Sequence, residues 1–294
     1  MPSFVGIETQ KAIDNWGVGQ TPPELIKAYE VLDQIIAGEH NNLFLIPLKQ
    51  GGAGTSLNMN MNEVITYLVN NQSIDEKVDY LEDINRFQST NDTFNTAVTI
   101  VFLRHLEQAE ALVVELQEAL VEKETSGSSK VIIGRTELQS ALPMTISQLF
   151  SSYTGAIERD RWRFNKVKER VRCSTLGGTA IGTCFSAPSK YIFAVELELR
   201  AITGLSLPRS QNLPSDISMC DKFAEAASVY DVLSGNLFKI ASDFMLYTFN
   251  GELSHPELQC GSTIMPTKIN PVLLEYIKGL SRLRCHYKLS TTLL

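Results

Sequence analysis

Apolar positions along this chain recur mostly at three- and four-residue intervals, the spacing of one face of a helix. The first such stripe is Leu25, Ala28, Tyr29, Leu32, Ile35 and Ile36, which follows Thr21, Pro22 and Pro23. A capping threonine and first-turn prolines predict a helix from Glu24 to Gly38. A longer stripe from Ala97 through Ile100, Val101, Leu103, Leu106, Leu112, Val113, Leu116 and Leu120 predicts a long amphipathic helix ending at Ser126-Gly127-Ser128-Ser129. A second long helix is expected from Thr145 to Arg172, with Leu149, Phe150, Tyr153, Ile157, Trp162 and Val167 on its buried side. Further helices are expected from Tyr191 to Thr203, from about Met219 to Tyr247, and after Pro271. Almost no stretch alternates apolar and polar residues over strand length, so the class is all-α, built as a bundle of long helices.

Composition narrows the function more than the fold. The chain has 294 residues, 44% hydrophobic and 20% charged, as in a soluble globular protein. A net charge of −7 argues against nucleic acid as a partner, because phosphate backbones need clustered Lys and Arg. It leaves room for a small anionic substrate held by a few local cations. Five scattered cysteines, without a C-x-x-C pair, read as reduced thiols of a cytoplasmic protein and form no zinc site. No run is long and apolar enough for a membrane span, so no membrane partner is expected.

Three polar loops carry candidate chemistry. In the stretch from Gly261 to Pro271, Pro266 and Pro271 each remove a backbone donor and shape the loop. It can set a weak base (Ser262), a fixed cation (Lys268) and an amide (Asn270) around one small anion, or it can be an ordinary polar connection. The stretch from Gln50 to Glu63 holds three glycines before a helix, an arrangement that offers free backbone donors to an anion. Ser89, Thr90 and Asn91 precede the long helix, where hydroxyls serve equally as caps or ligands.

Together these stretches resemble the aspartase/fumarase superfamily of lyases. Residues 261–271 resemble its GSSxMPxKxNP signature, with Thr263 in place of the second serine, and residues 52–63 resemble GxGTSxNMNxNE. Phe4 to Trp16 resembles a segment near the family's N-terminus, with Lys11 in place of an arginine. Residues 134–145 resemble GRTHxQDAxPxT, but Glu137 stands where fumarases carry histidine and some aspartases glutamine.

The resemblance implies a small N-terminal helical domain at 1–88 and a central helical bundle at 89–294, cut short and without the family's C-terminal domain. It further implies a homotetramer whose active sites are shared between subunits. The implied reaction is anti β-elimination from a small anionic amino acid, L-aspartate giving fumarate and ammonia, with no cofactor and no metal. In these roles Ser262 is the base, and Lys268 and Asn270 stabilise the dianion formed by proton removal. Thr55, Ser89 and Thr90 anchor the far carboxylate, and Asn91, Thr136 and Glu137 hold the leaving ammonium. Met265 and Thr263 belong to the same loop, and Glu275 is the family's partner of the residue at position 137. Two facing carboxylates, Glu137 and Glu275, cannot both ionise cheaply, so one keeps its proton or a cation lies between them. The bland alternative for Glu137 is an ion pair with Lys49 or Arg135. Other readings of the whole chain are a lyase for a trimethylated amino acid, similar to ergothionase, a fumarate hydratase, and an inactive homologue that acts only in oligomer assembly.

Overall fold

The computed structural model describes residues 34–46, 52–72, 77–259, 264–265 and 267–291, with side chains to residue 283. The helix expected from Glu24 to Gly38 lies outside these residues except for its last turn. There the amide of Gly38 donates to Ile35 O at 3.0 Å and that of Glu39 to Gln34 O at 3.1 Å. With Gly38 at φ +81° this is a Schellman ending, and it falls at the glycine expected to stop the helix.

The described elements are helices α1 (Thr55–Asn70), α2 (Thr90–Ser126), α3 (Ile146–Val171), α4 (Ser189–Thr203), α5 (Leu213–Ser218), α6 (Asp221–Phe249) and α7 (Val272–Thr291). The all-α class holds; one antiparallel hairpin, β1 (Val131–Thr136) and β2 (Gln139–Thr145), is added to it, with a short π-helical turn at Tyr80–Ile84. No helix among the described residues is long and apolar enough to cross a membrane.

The chain divides into two compact units. The first holds the described residues up to Asn95 with Thr175–Glu198 and Asn212–Ile217. Its small core is Ile65 and Val69 of α1, with Ile35, Met61, Leu68, Val78 and Ile84 packed around them.

The second unit holds Thr96–Ser174, Leu199–Gln211 and the described residues from Ser218 on. On α3, Leu149, Phe150, Tyr153, Ile157, Asp160, Phe164, Val167 and Val171 form the buried stripe at helical spacing. Trp162, expected on that stripe, is 59% exposed, because five residues beyond Ile157 put it on the far side of the helix. Phe164 meets the Tyr230 ring of α6 edge-on at 5.0 Å, and Phe150, Tyr153 and Phe244 form a second aromatic group. Fully buried Asp160 accepts from Arg163 Nη1 and Asn236 Nδ2, each at 2.7 Å, which satisfies the one charge in the stripe. Thr145 caps α3 with a capping box to Gln148. On α2 the stripe splits: Leu103, Leu106, Val113 and Leu120 are buried, whereas Val101 and Leu112 are exposed.

Candidate active site

The candidate residues fall into two groups. In the first unit, Gly54 precedes α1 at φ +86°, and a Cβ there would lie 2.5 Å from the Phe94 ring of α2. That close approach sets the start of α1 against the start of α2. The side-chain bond from Thr93 Oγ1 to Asn58 Oδ1 at 3.0 Å joins the same two elements. Asn58 and Asn62 both donate to Asn85 Oδ1, at 3.3 and 3.0 Å. Thr55, exposed at the first position of α1, donates to Gly52 O at 2.7 Å. The structure thus brings Thr55 into one region with Ser89, Thr90 and Asn91.

Ser89 caps α2. Its hydroxyl accepts from the Asn91 amide at 3.3 Å, while its own amide donates to Asp92 Oδ1 at 2.9 Å. Asp92 has no exposed surface, and its other oxygen accepts from the Thr179 amide at 2.9 Å. Burial pushes this carboxyl above the usual carboxylate range, and the amide donors pull it back. Asp92 is a residue that the sequence reading passed over. Its signal was present, since an acid three residues after a capping serine is a helix-start pattern.

The second unit holds the rest. β1 and β2 pair from Val131 opposite Thr145 to Thr136 opposite Gln139, with a bulge in β2, where Ala141 and Leu142 together face Gly134. The loop between them is two residues, Glu137 and Leu138, both at positive φ (50° and 64°), the backbone of a type I′ turn. Thr136 and Glu137 are therefore exposed at the tip of a hairpin. Arg135 does not pair with Glu137, contrary to that alternative. Its Nη1 donates to Glu252 Oε2 at 2.7 Å and to Ile133 O at 3.1 Å, and its guanidinium lies 5.3 Å over the Tyr247 ring. Lys49 lies outside the described residues. Glu137 and Glu275 are both exposed, and no hydrogen bond joins them.

Ser262 and Thr263 lie outside the described residues. Beyond them, Met265 and Lys268 are exposed and joined by a turn, with the Lys268 amide donating to Met265 O at 3.0 Å. Asn270 is half-buried, and its carbonyl accepts from the Val272 amide at 2.9 Å as α7 begins. It lines a cavity of about 580 Å³ with Ser126, Phe150, Phe244, His255 and Val272. His255 is half-buried on this wall. Among the described residues no three His, Cys, Asp or Glu side chains gather as a metal site.

Comparison with known proteins adds to this geometry. The profile of a lyase family matches residues 9–283. Aspartate ammonia-lyase of Helicobacter pylori (strain ATCC 700392 / 26695) is 32% identical over 286 residues, covering 94% of this chain and 61% of the relative. Fumarate hydratase class II of Ralstonia nicotianae is 34% identical over 284 residues, covering 92% and 61%. The chain therefore spans 61% of the length of each of these relatives. Among solved structures, the fumarate lyase:delta crystallin from Brucella melitensis bound to cobalt aligns over all of this chain and 72% of its own, with TM-score 0.80 and 29% identity. The class II fumarase of Schistosoma mansoni, at 22% identity, shares the fold with TM-score 0.83 over 96% of this chain and 64% of its own.

Proposed function

Since the chain belongs to the aspartase/fumarase superfamily of lyases, we propose that it performs anti β-elimination of an amine from a small amino dicarboxylate, L-aspartate giving fumarate and ammonia. The observation that carries the choice of an amine is Glu137, an exposed carboxylate at a hairpin tip whose neighbouring cation, Arg135, is already paired with Glu252. A carboxylate so presented attracts a cationic leaving group and offers little to the neutral hydroxyl of malate.

In this reading Ser262 removes the proton, and Lys268 and Asn270 stabilise the dianion that results. Thr263 and Met265 belong to the same loop, and Glu275 follows in the first turn of α7. Thr55, Ser89 and Thr90 hold the far carboxylate at the amino ends of α1 and α2, where the helix dipole favours an anion. Asn91, Thr136 and Glu137 receive the leaving ammonium. As the family resemblance implies, each site is assembled from more than one copy of the chain. Val101 and Leu112 on α2, with Trp162 on α3, are exposed apolar side chains suited to contacts between copies in a homotetramer. A cytoplasmic setting fits a small-metabolite lyase with scattered cysteines.

A lyase for a trimethylated amino acid is the second reading, favoured by the same carboxylate. The test is ultraviolet absorbance of the unsaturated product from purified protein given L-aspartate, malate and a trimethylated amino acid. Turnover of aspartate first among the three is expected, and no product from any of them rejects the enzyme reading.

A further inference from the structure

Asn91 Nδ2 donates to the carbonyl oxygen of Ala180 at 2.7 Å. A peptide oxygen has no proton to give, so only the NH₂ side of the amide satisfies this contact. The orientation of the Asn91 amide is thereby set, with Oδ1 turned away from Ala180 on an exposed residue.

The loop that presents Ala180 is built for this. The Thr179 amide is tied to Asp92 Oδ2, and Thr175 Oγ1 donates to Asp92 O at 2.9 Å, so both sides of the contact hang on one buried aspartate. Thr179 is held at φ +58°, a conformation a β-branched residue adopts only under constraint. Gly182 sits at φ +83°, where a Cβ would lie 2.4 Å from Pro214 N. The strained Thr179, held by a fully buried carboxylate, and the close approach at Gly182 keep one carbonyl in one place.

We infer that residues 175–182 are a positioning element for Asn91, which leaves its oxygen as a hydrogen-bond acceptor for an N–H of the leaving ammonium. This rests on the proposed elimination and narrows its substrate class. A primary ammonium offers N–H donors, whereas a quaternary ammonium offers none and meets a partial negative charge without a bond. The site takes amino dicarboxylates with a free amine in preference to their trimethylated counterparts.

The test measures binding of L-aspartate, succinate and N,N,N-trimethylaspartate to the full chain, alongside the Asn91 side-chain amide by nitrogen-edited NMR. The amide signal is assigned by its loss in Asn91→Ala. In the wild type, the Asn91 proton facing Ala180 exchanges slowly and aspartate binds more tightly than its trimethylated form. Gly182→Ala, which pushes the loop off Pro214, removes that protection. It weakens aspartate by about tenfold or more, the loss of one hydrogen bond to a charged group, and leaves succinate unchanged. Asp92→Asn, which keeps one acceptor, gives the same split in milder form and serves if Gly182→Ala does not fold. Equal losses for aspartate and succinate make the loop merely structural and overturn the inference, as does equal binding of the trimethylated ligand. A freely exchanging Asn91 amide in the wild type overturns it whatever binds. A protected amide in a protein that binds none of the three ligands rejects the dicarboxylate reading, while the hold of Ala180 on Asn91 stands.

Discussion

Arg135 is bound to Glu252 at 2.7 Å, and this pair decides how the neighbouring Glu137 is read. Had the guanidinium turned to the hairpin tip, Glu137 would be one half of a surface ion pair of little consequence. Instead Arg135 ties the hairpin to the end of α6 through Glu252 and Tyr247, and Glu137 projects from a turn that is anchored from behind.

Glu137→Gln therefore changes recognition of the amine more than folding. The KM for L-aspartate is expected to rise about tenfold, the scale of one charge-assisted hydrogen bond. Succinate, which lacks the amine, binds as before. Steady-state kinetics with succinate as competitive inhibitor checks both, and equal effects on the two ligands would reject the cation-reading role.

The turn itself is costly. Leu138 holds φ +64° with its side chain 73% exposed, so it accepts strain with little burial in return. Leu138→Gly is expected to stabilise the protein by about 1 kcal/mol, the scale of relieving one left-handed residue. A higher urea midpoint with unchanged slope is the result to look for.

Ser262→Ala should abolish elimination while dicarboxylate binding survives, because a base acts only on the way to the transition state. Lys268→Ala should lose binding and turnover together, since its charge serves substrate and dianion alike. Calorimetric titration with succinate separates the two cases.

Phe164 is fully buried and meets Tyr230 across the α3–α6 contact. Phe164→Ala leaves a cavity there and is expected to cost about 3–5 kcal/mol. Denaturant unfolding of the variant measures it.

Asp92 gives a pH signature. Its carboxyl is raised by burial, so the native state binds its proton more readily than the unfolded chain. The stability it contributes is full below the ordinary carboxylate value of 3.8 and is lost as pH rises through the raised native value. Relative to Asp92→Asn, the wild type should gain stability as pH falls from neutral into the acid range. Urea midpoints of both proteins across that range, showing no difference in slope, would remove Asp92 from the account.

The long helices were legible because their burial follows periodicity: Leu103, Leu106 and Val113 on α2, and Phe150, Ile157 and Val167 on α3, all lie where the spacing puts them. The hairpin was not legible. β2 is exposed over most of its length, so it shows no alternation, and its turn is Glu-Leu where Asn-Gly would have announced it. Gly127 lies in the stretch expected to end the long helix. It is buried, and a Cβ there would lie 2.6 Å from Ile146 Cγ2, so close packing calls for it. Within the candidate site, Thr55 and Ser89 were recognisable by type and surroundings. The partners of Arg135 and Asn91 were not, because Glu252 and Ala180 are distant in sequence and no local pattern points to them.

The uninterrupted length of α2 also limits how such a chain can change over time. Each residue added or removed inside the helix turns everything beyond it by about 100° and shifts it by about 1.5 Å. One insertion there would misdirect the buried stripe and, with it, whatever the far end presents. Changes in chain length are confined to the connections, and the helix interior drifts only by substitution.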